Sequence, residues 1–251
     1  MDSTIMLIEQ DSDAYVPGFV FYEDNVRLLR AALKQVLHRT RHLERVSLLS
    51  LGVGHRITVR GLIDGLGERL ERYVIVEGAP KIIEMFRQEV GPDHRVQVEQ
   101  SYFEDFTTEQ RFDVIEMGFV LEHVQDPARV LRRFAEFLAP GGRIMIAVPN
   151  AHSLHRLIGH QAGLLPDVHH LSEADLALGH RRYFDPALLD ALLADCGLQV
   201  IDRAGLMLKP LTSAQIRSLD LSPEIVAAMD EIGFGMPEVC NAIFVEACPC
   251  R

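Results

Sequence analysis

Residues 46–54, Val-Ser-Leu-Leu-Ser-Leu-Gly-Val-Gly, constrain the fold more than any other stretch. A mostly apolar run ends in two glycines spaced by one residue, and a helical pattern follows. A buried parallel strand reads this way when it turns sharply into a helix beneath a bound cofactor. Gly52 and Gly54 carry no Cβ, so the turn can take positive φ and its backbone can approach a ligand closely.

The chain around this stretch alternates. A helix is expected from Phe21 to about Thr40, with Asp24 or Asn25 as its cap, packed across the cofactor mouth or the sheet edge. Ile57 to about Leu70 is the next helix, weakened by Gly61, Gly65 and Gly67. Strands are expected at 73–77, 96–99, 112–117 and 143–148. Helices are expected at 79–90, opened by Pro80, and at 127–138, capped by Asp126. Pro140-Gly141-Gly142 reads as a turn. Strands joined through helices by short turns predict a doubly wound parallel α/β sheet. Residues 186–196 resume as a helix stopped by Gly197, 198–201 as a sixth strand and 241–246 as a last strand.

The 251 residues fit one domain. Residues 1–45 form an N-terminal helical segment whose first 18 residues read as an arm. Residues 151–184 and 210–238 interrupt the rhythm as helical insertions, the first placed as a lid after a strand's carboxyl end. Val130, Leu131, Phe134 and Leu138 form a core-facing stripe. The formal net charge of -11 disfavours a nucleic-acid partner. No basic, apolar leader or membrane-length apolar run is present. The four cysteines lack CxxC spacing, so a cytoplasmic chain with free thiols is expected. Arg181-Arg182 reads as solvated or structural.

The ligand class turns on Glu77. It ends the second strand, 23 residues after Gly54. An acid there can accept hydrogen bonds from both ribose hydroxyls of an adenosine-type cofactor. The third glycine of a dinucleotide fingerprint is missing, with Ile57 in its place. The second half of the chain adds an ordered series: Arg111-Phe112-Asp113-Val114-Ile115, Val120-Leu121-Glu122-His123-Val124 with Asp126-Pro127, Leu138-Ala139-Pro140-Gly141-Gly142-Arg143, and Val148-Pro149-Asn150. This series resembles the class I S-adenosylmethionine-dependent methyltransferases. It is similar to their bacterial small-molecule branch, which includes ubiquinone-type, sugar and natural-product enzymes. The resemblance is detailed over residues 46–150 and looser beyond.

The resemblance implies a Rossmann-like, seven-stranded, mostly parallel sheet with an antiparallel last strand. It implies S-adenosylmethionine across the carboxyl ends of the first strands, with S-adenosylhomocysteine as product. Gly52 and Gly54 would adjoin its methionyl part, Glu77 and Gly78 its ribose, and Ser101, Tyr102 and Phe103 its adenine. Met117, Gly118 and Phe119 would line the sulfonium end, with Tyr22 helping from the N-terminal segment. The chain departs from the family pattern at Ser50, where an acid is usual, at Arg56, where a glycine is usual, and at Ser101, where an aspartate is usual. The resemblance implies that the lost acid would help hold the cofactor's ammonium; Tyr15, Tyr22 and Arg27 are candidate helpers from the N-terminal segment, with Arg27 suited to a carboxylate.

The acceptor side is read from histidine, whose pKa lies near neutral pH. Six of the 11 histidines fall between residues 152 and 180. His169 and His170 are the first candidates for a base, followed by His180 and Tyr183; His123 could face the site or cap a helix. No metal is assigned, because Asp167, His169, His170 and His180 lack a recognised ligand spacing. Leu206-Met207-Leu208 allows an acceptor-pocket wall or a homodimer face. The expected reaction is methyl transfer to oxygen or nitrogen of a small polar metabolite, such as a sugar, saccharide or secondary-metabolite precursor. An NAD-dependent oxidoreductase and a catalytically weak partner subunit stay open as alternatives.

Overall fold

The computed structural model describes residues 21–250, so the arm over residues 1–18 and Tyr15 lie outside the described residues. Its elements are α1 (Tyr22–Arg39), β1 (Val46–Leu51), α2 (Arg56–Leu66), β2 (Leu70–Glu77), α3 (Pro80–Val90), β3 (Val96–Gln100), β4 (Phe112–Gly118), α4 (Pro127–Ala135), β5 (Leu138–Pro149), α5 (Leu154–Gln161), α6 (Glu173–Ala177), α7 (Pro186–Asp195), β6 (Leu198–Leu206), α8 (Ser213–Ser218), α9 (Pro223–Gly233) and β7 (Ala242–Pro249). One seven-stranded sheet runs β3-β2-β1-β4-β5-β7-β6. The first five strands pair in parallel, and β7 is antiparallel to both β5 and β6. The expected doubly wound sheet with an antiparallel last strand is therefore present. The order reverses between β1 and β4, and a crevice opens there beyond the strand carboxyl ends.

The strands are buried because helices cover both faces. On one face Leu49, Leu51, Ile115 and Met117 pack with Val130, Leu131 and Phe134 of α4 and Leu189 and Leu193 of α7. On the other, Leu48, Tyr73, Ile75 and Val114 pack under α1 and α2. Alternate residues of a strand point to opposite faces, so Ser50 and Glu116 share the second face and Met117 the first. The expected stripe on α4 is core, except that Leu138 begins β5.

Three local expectations are corrected. Asp24 does not cap α1, whose N-cap is Phe21; its carboxylate instead accepts from Lys209 Nζ at 3.1 Å and from the Ser213 hydroxyl, tying α1 to the 210–238 segment. Pro140-Gly141-Gly142 is not a turn but part of β5, at a register shift against β4. Gly141 has φ +83°, and a Cβ on Gly142 would lie 2.7 Å from the Phe112 carbonyl. Leu206 and Met207 are fully buried within the chain and so are no dimer face.

Gly61 and Gly65 were expected to weaken α2. A Cβ at these positions would lie 2.1 Å from Leu33 and 2.5 Å from Leu37 of α1, so the two helices touch where side chains are missing. A less yielding contact occurs at Gly205 of β6, where a Cβ would meet the Gly233 backbone carbonyl at 2.4 Å and the buried Cys240 Sγ at 2.7 Å. Gly205→Ala is expected to cost about 1–3 kcal/mol, because backbone must move to admit the methyl group. Denaturant unfolding reads this, and an unchanged midpoint would mean that α9 shifts freely.

Candidate active site

The first wall is the β1–α2 turn. Gly52 has φ +80° and Gly54 φ +56°, and the Gly52 amide donates to the Val76 carbonyl at 2.8 Å. Between the glycines, the Val53 amide donates to Glu77 Oε2 at 3.1 Å, and the Ala79 amide donates to Glu77 Oε1 at 2.9 Å. One carboxylate thus braces the turns after both β1 and β2. Burial pushes the Glu77 pKa up, and the Ala79, Val53 and Gly78 amides oppose that. The carboxylate keeps acceptor capacity for a ligand. The missing third glycine has a local substitute: His55 is the N-cap of α2, its Nδ1 accepting from the Ile57 amide at 3.1 Å.

The expected adenosine-side residues come together here. Phe103 lies 4.0 Å from where a Gly52 Cβ would stand, and Tyr102 lies 3.2 Å from where a Gly78 Cβ would stand. The Ser101 amide donates to the Glu77 carbonyl at 3.1 Å. These residues, with Tyr22, Gly54, Gly118 and Phe119, line a cavity of about 1070 Å³. Met117 does not. It is fully buried in the opposite core face, because its strand neighbour Gly118 takes the cavity side. Arg27 does not line the cavity either, being ion-paired with Asp230 at 2.8 Å.

The second wall is the loop after β4, pinned by the segment that follows α6. The Arg181 amide donates to the Glu122 carbonyl at 2.9 Å, and Arg181 Nε to the His123 carbonyl at 2.9 Å. Arg182 donates to the carbonyls of Leu121, Val124 and Gln125. The Arg181-Arg182 pair is therefore structural. It brings the His123 and His180 rings to 4.8 Å between centroids, edge to face. Tyr183 lies behind His180, its hydroxyl donating to Asp175 Oδ1 at 2.9 Å. His180 Nδ1 stands 3.6 Å from the same Asp175 oxygen, an ion-pair separation.

Burial dominates the electrostatics of this wall. Glu122 is fully buried, neither carboxylate oxygen has a hydrogen-bond partner, and its pKa is pushed up to about 8. Burial, then the neighbouring His180, pushes His123 down to about 3. Burial also lowers His180, with Asp175 pulling the other way. Burial raises the Tyr183 phenol. Glu122, His123 and His180 each offer a ligand atom within 4.8 Å of the others, a set that Asp167, His169 and His170 do not join.

His169 and His170 do not reach the cavity. His169 Nε2 lies 3.1 Å from Asp185, the N-cap of α7, and its Nδ1 lies 3.5 Å from Asp167. His170 is exposed. Arg156 donates to the carbonyls of Val168 and His170 and stacks on the Tyr183 ring at 4.0 Å, which holds this segment outward. The far wall is made by Asp24, expected only as a helix cap, with His155 of the histidine cluster and Lys209, which follows the run offered as a pocket wall. Burial, then Lys209, pushes His155 down to about 3. The buried histidines here signal only through helical and strand-end placement, which α5 did not show in advance.

Residues 22–203 match the model of a methyltransferase domain family. A ubiquinone biosynthesis O-methyltransferase of Xanthomonas euvesicatoria is 32% identical over 149 residues, covering 54% of this chain and 56% of the relative. The chain thus spans about half the length of the curated relatives it matches. Among solved structures, a methyltransferase of Haloferax volcanii in complex with the Trm112 activator aligns with TM-score 0.63 at 16% identity, over 100% of this chain and 99% of that one. A Burkholderia thailandensis 1,6-didemethyltoxoflavin-N1-methyltransferase with S-adenosylhomocysteine aligns with TM-score 0.61 at 17% identity, over 99% and 89%. These likenesses share the fold described above.

Proposed function

Because the chain belongs to the methyltransferase domain family, we propose that it transfers a methyl group from S-adenosylmethionine to an oxygen or nitrogen of a small polar metabolite. The observation that carries this reading is the placement of Glu77. Its carboxylate, fixed by the Val53 and Ala79 amides, stands beneath a glycine turn and beside Phe103. That arrangement suits two ribose hydroxyls and an adenine, and the bare Gly52 and Gly78 leave room for them.

When bound, S-adenosylmethionine supplies a methyl group activated by a cationic sulfur. The chain's own work is then to hold the acceptor in line and exclude water. Residues 151–184, through Arg156, Asp175, His180 and Tyr183, serve as the cover over the acceptor end. Lys209 and its partner Asp24 close the other side from residues 210–238. Where the acceptor is a hydroxyl, His180 takes its proton, and Asp175 steadies the imidazolium that results. His123, held neutral by burial, packs against that ring. A sugar, saccharide or secondary-metabolite precursor fits the mixed polar lining. No helix among the described residues is long and apolar enough to cross a membrane.

Titration calorimetry with S-adenosylmethionine, S-adenosylhomocysteine and NAD tests the reading. Both sulfur ligands are expected to bind and NAD is not. Binding of neither sulfur ligand would sink the proposal.

A further inference from the structure

Beneath the glycine turn a second acid is buried that the site as described leaves unused. Glu116 is the Cα partner of Ser50 across the β1–β4 pair, on the same face of the sheet. It is 8% exposed. The Ser50 hydroxyl lies between it and the Tyr73 hydroxyl, 3.0 Å away, and the Gly118 amide also bonds to it. No cation contributes to its environment, and burial pushes its pKa up to about 7. A carboxylate buried without a cation is costly in its charged form, and the Ser50 and Gly118 hydrogen bonds offset only part of that cost.

Glu116 lines a small pocket that adjoins the large cavity. A Cβ on Gly118 would stand 2.3 Å from Glu116 Oε1, so the carboxylate and the bare backbone at residue 118 occur together. A pocket of about 30 Å³ lies between Glu116, Tyr73 and Thr58, enough for one small polar group or water. Gly52, Gly54 and Gly118 line this pocket and the large cavity alike. The carboxylate therefore sits directly under the turn, in the place that an acid at residue 50 would fill from β1.

We infer that Glu116 is a binding residue for a ligand ammonium group, receiving the amino-acid end of the cofactor from β4 in place of an acid at Ser50. The inference rests on the reading that S-adenosylmethionine occupies the cavity. Ser50 and Tyr73 orient the carboxylate through their hydrogen-bonded hydroxyls, and the bare backbone of Gly52, Gly54 and Gly118 lies between it and the large cavity.

The test compares two ligands by calorimetry. S-adenosylhomocysteine carries the ammonium group; 5′-methylthioadenosine has the same adenosine and thioether without the amino-acid end. Glu116→Gln is expected to weaken S-adenosylhomocysteine by about 10- to 100-fold, the scale of one charged hydrogen-bond partner, and to leave 5′-methylthioadenosine unchanged. Ser50→Asp added to Glu116→Gln should recover part of the loss, a rescue that a purely structural role would not give. Glu116→Asp, which keeps the charge and shortens the reach, should show a smaller loss confined to S-adenosylhomocysteine, and it carries the test if the glutamine variant does not fold. Equal loss for both ligands, or no loss for either, overturns the inference. Failure of the wild-type protein to bind either ligand overturns the cofactor reading itself.

Discussion

Glu77→Ala is expected to weaken S-adenosylmethionine binding by about 1–3 kcal/mol, the scale for removing a charged hydrogen-bond partner. The same change should lower the melting temperature, because the buried Val53 and Ala79 amides lose their acceptor. The two effects are separable. Glu77→Gln keeps one amide oxygen for the turn but places an NH₂ where the other oxygen stood. It should retain more stability than alanine while still losing affinity. A dissociation constant unchanged in both variants, with a lower melting temperature, would reduce Glu77 to a brace between the turns after β1 and β2.

Much of this wall was legible in the sequence, for a physical reason. A parallel strand delivers its last residue to the same edge of the sheet each time, so Gly52, Glu77, Ser101 and Gly118 follow from strand ends alone. The alternation that places them also decides Met117, which faces the core because Gly118 faces the cavity. The ranking of the histidines was not legible. His169 and His180 share a segment, and what separates them is Arg156 holding the 168 and 170 carbonyls outward, together with Asp185 at the start of α7. Those contacts span 12 to 16 positions and follow no local period.

Punctuation residues misled in the opposite direction. Pro140-Gly141-Gly142 carries turn chemistry, yet the Phe112 carbonyl approaches so closely that the glycines serve a strand irregularity instead. Gly61 and Gly65 lower the propensity of α2 but let it pack against Leu33 and Leu37. Glu116 did leave a signal: an acid within Val114-Ile115-Glu116-Met117, a strand buried on both faces. Its use depends on Ser50 across the sheet, a pairing that only the β1–β4 register supplies.

His180→Ala is expected to lower turnover by about 10²- to 10⁴-fold for a hydroxyl acceptor, the range for a positioned general base, with S-adenosylmethionine affinity kept. Synthesis of S-adenosylhomocysteine against a panel of phenols, sugars and amines reads it. An amine acceptor, delivered neutral, should lose far less, so the size of the effect also separates O- from N-methylation. The pH profile adds a signed test. A base acts when neutral, and burial lowers the His180 pKa below the ordinary value of 6.5. Turnover should therefore rise with pH, with the midpoint of that limb below pH 6.5. His123, pushed down to about 3, is already neutral across that range, so His123→Ala should leave the position of this limb nearly unchanged. Proton NMR of the His180 ring gives its titration directly. A pKa at or above 6.5, or full turnover in His180→Ala with a hydroxyl acceptor, would take the base role from His180. Lys209 and His155, on the opposite wall, would then be the next groups within the cavity able to move a proton.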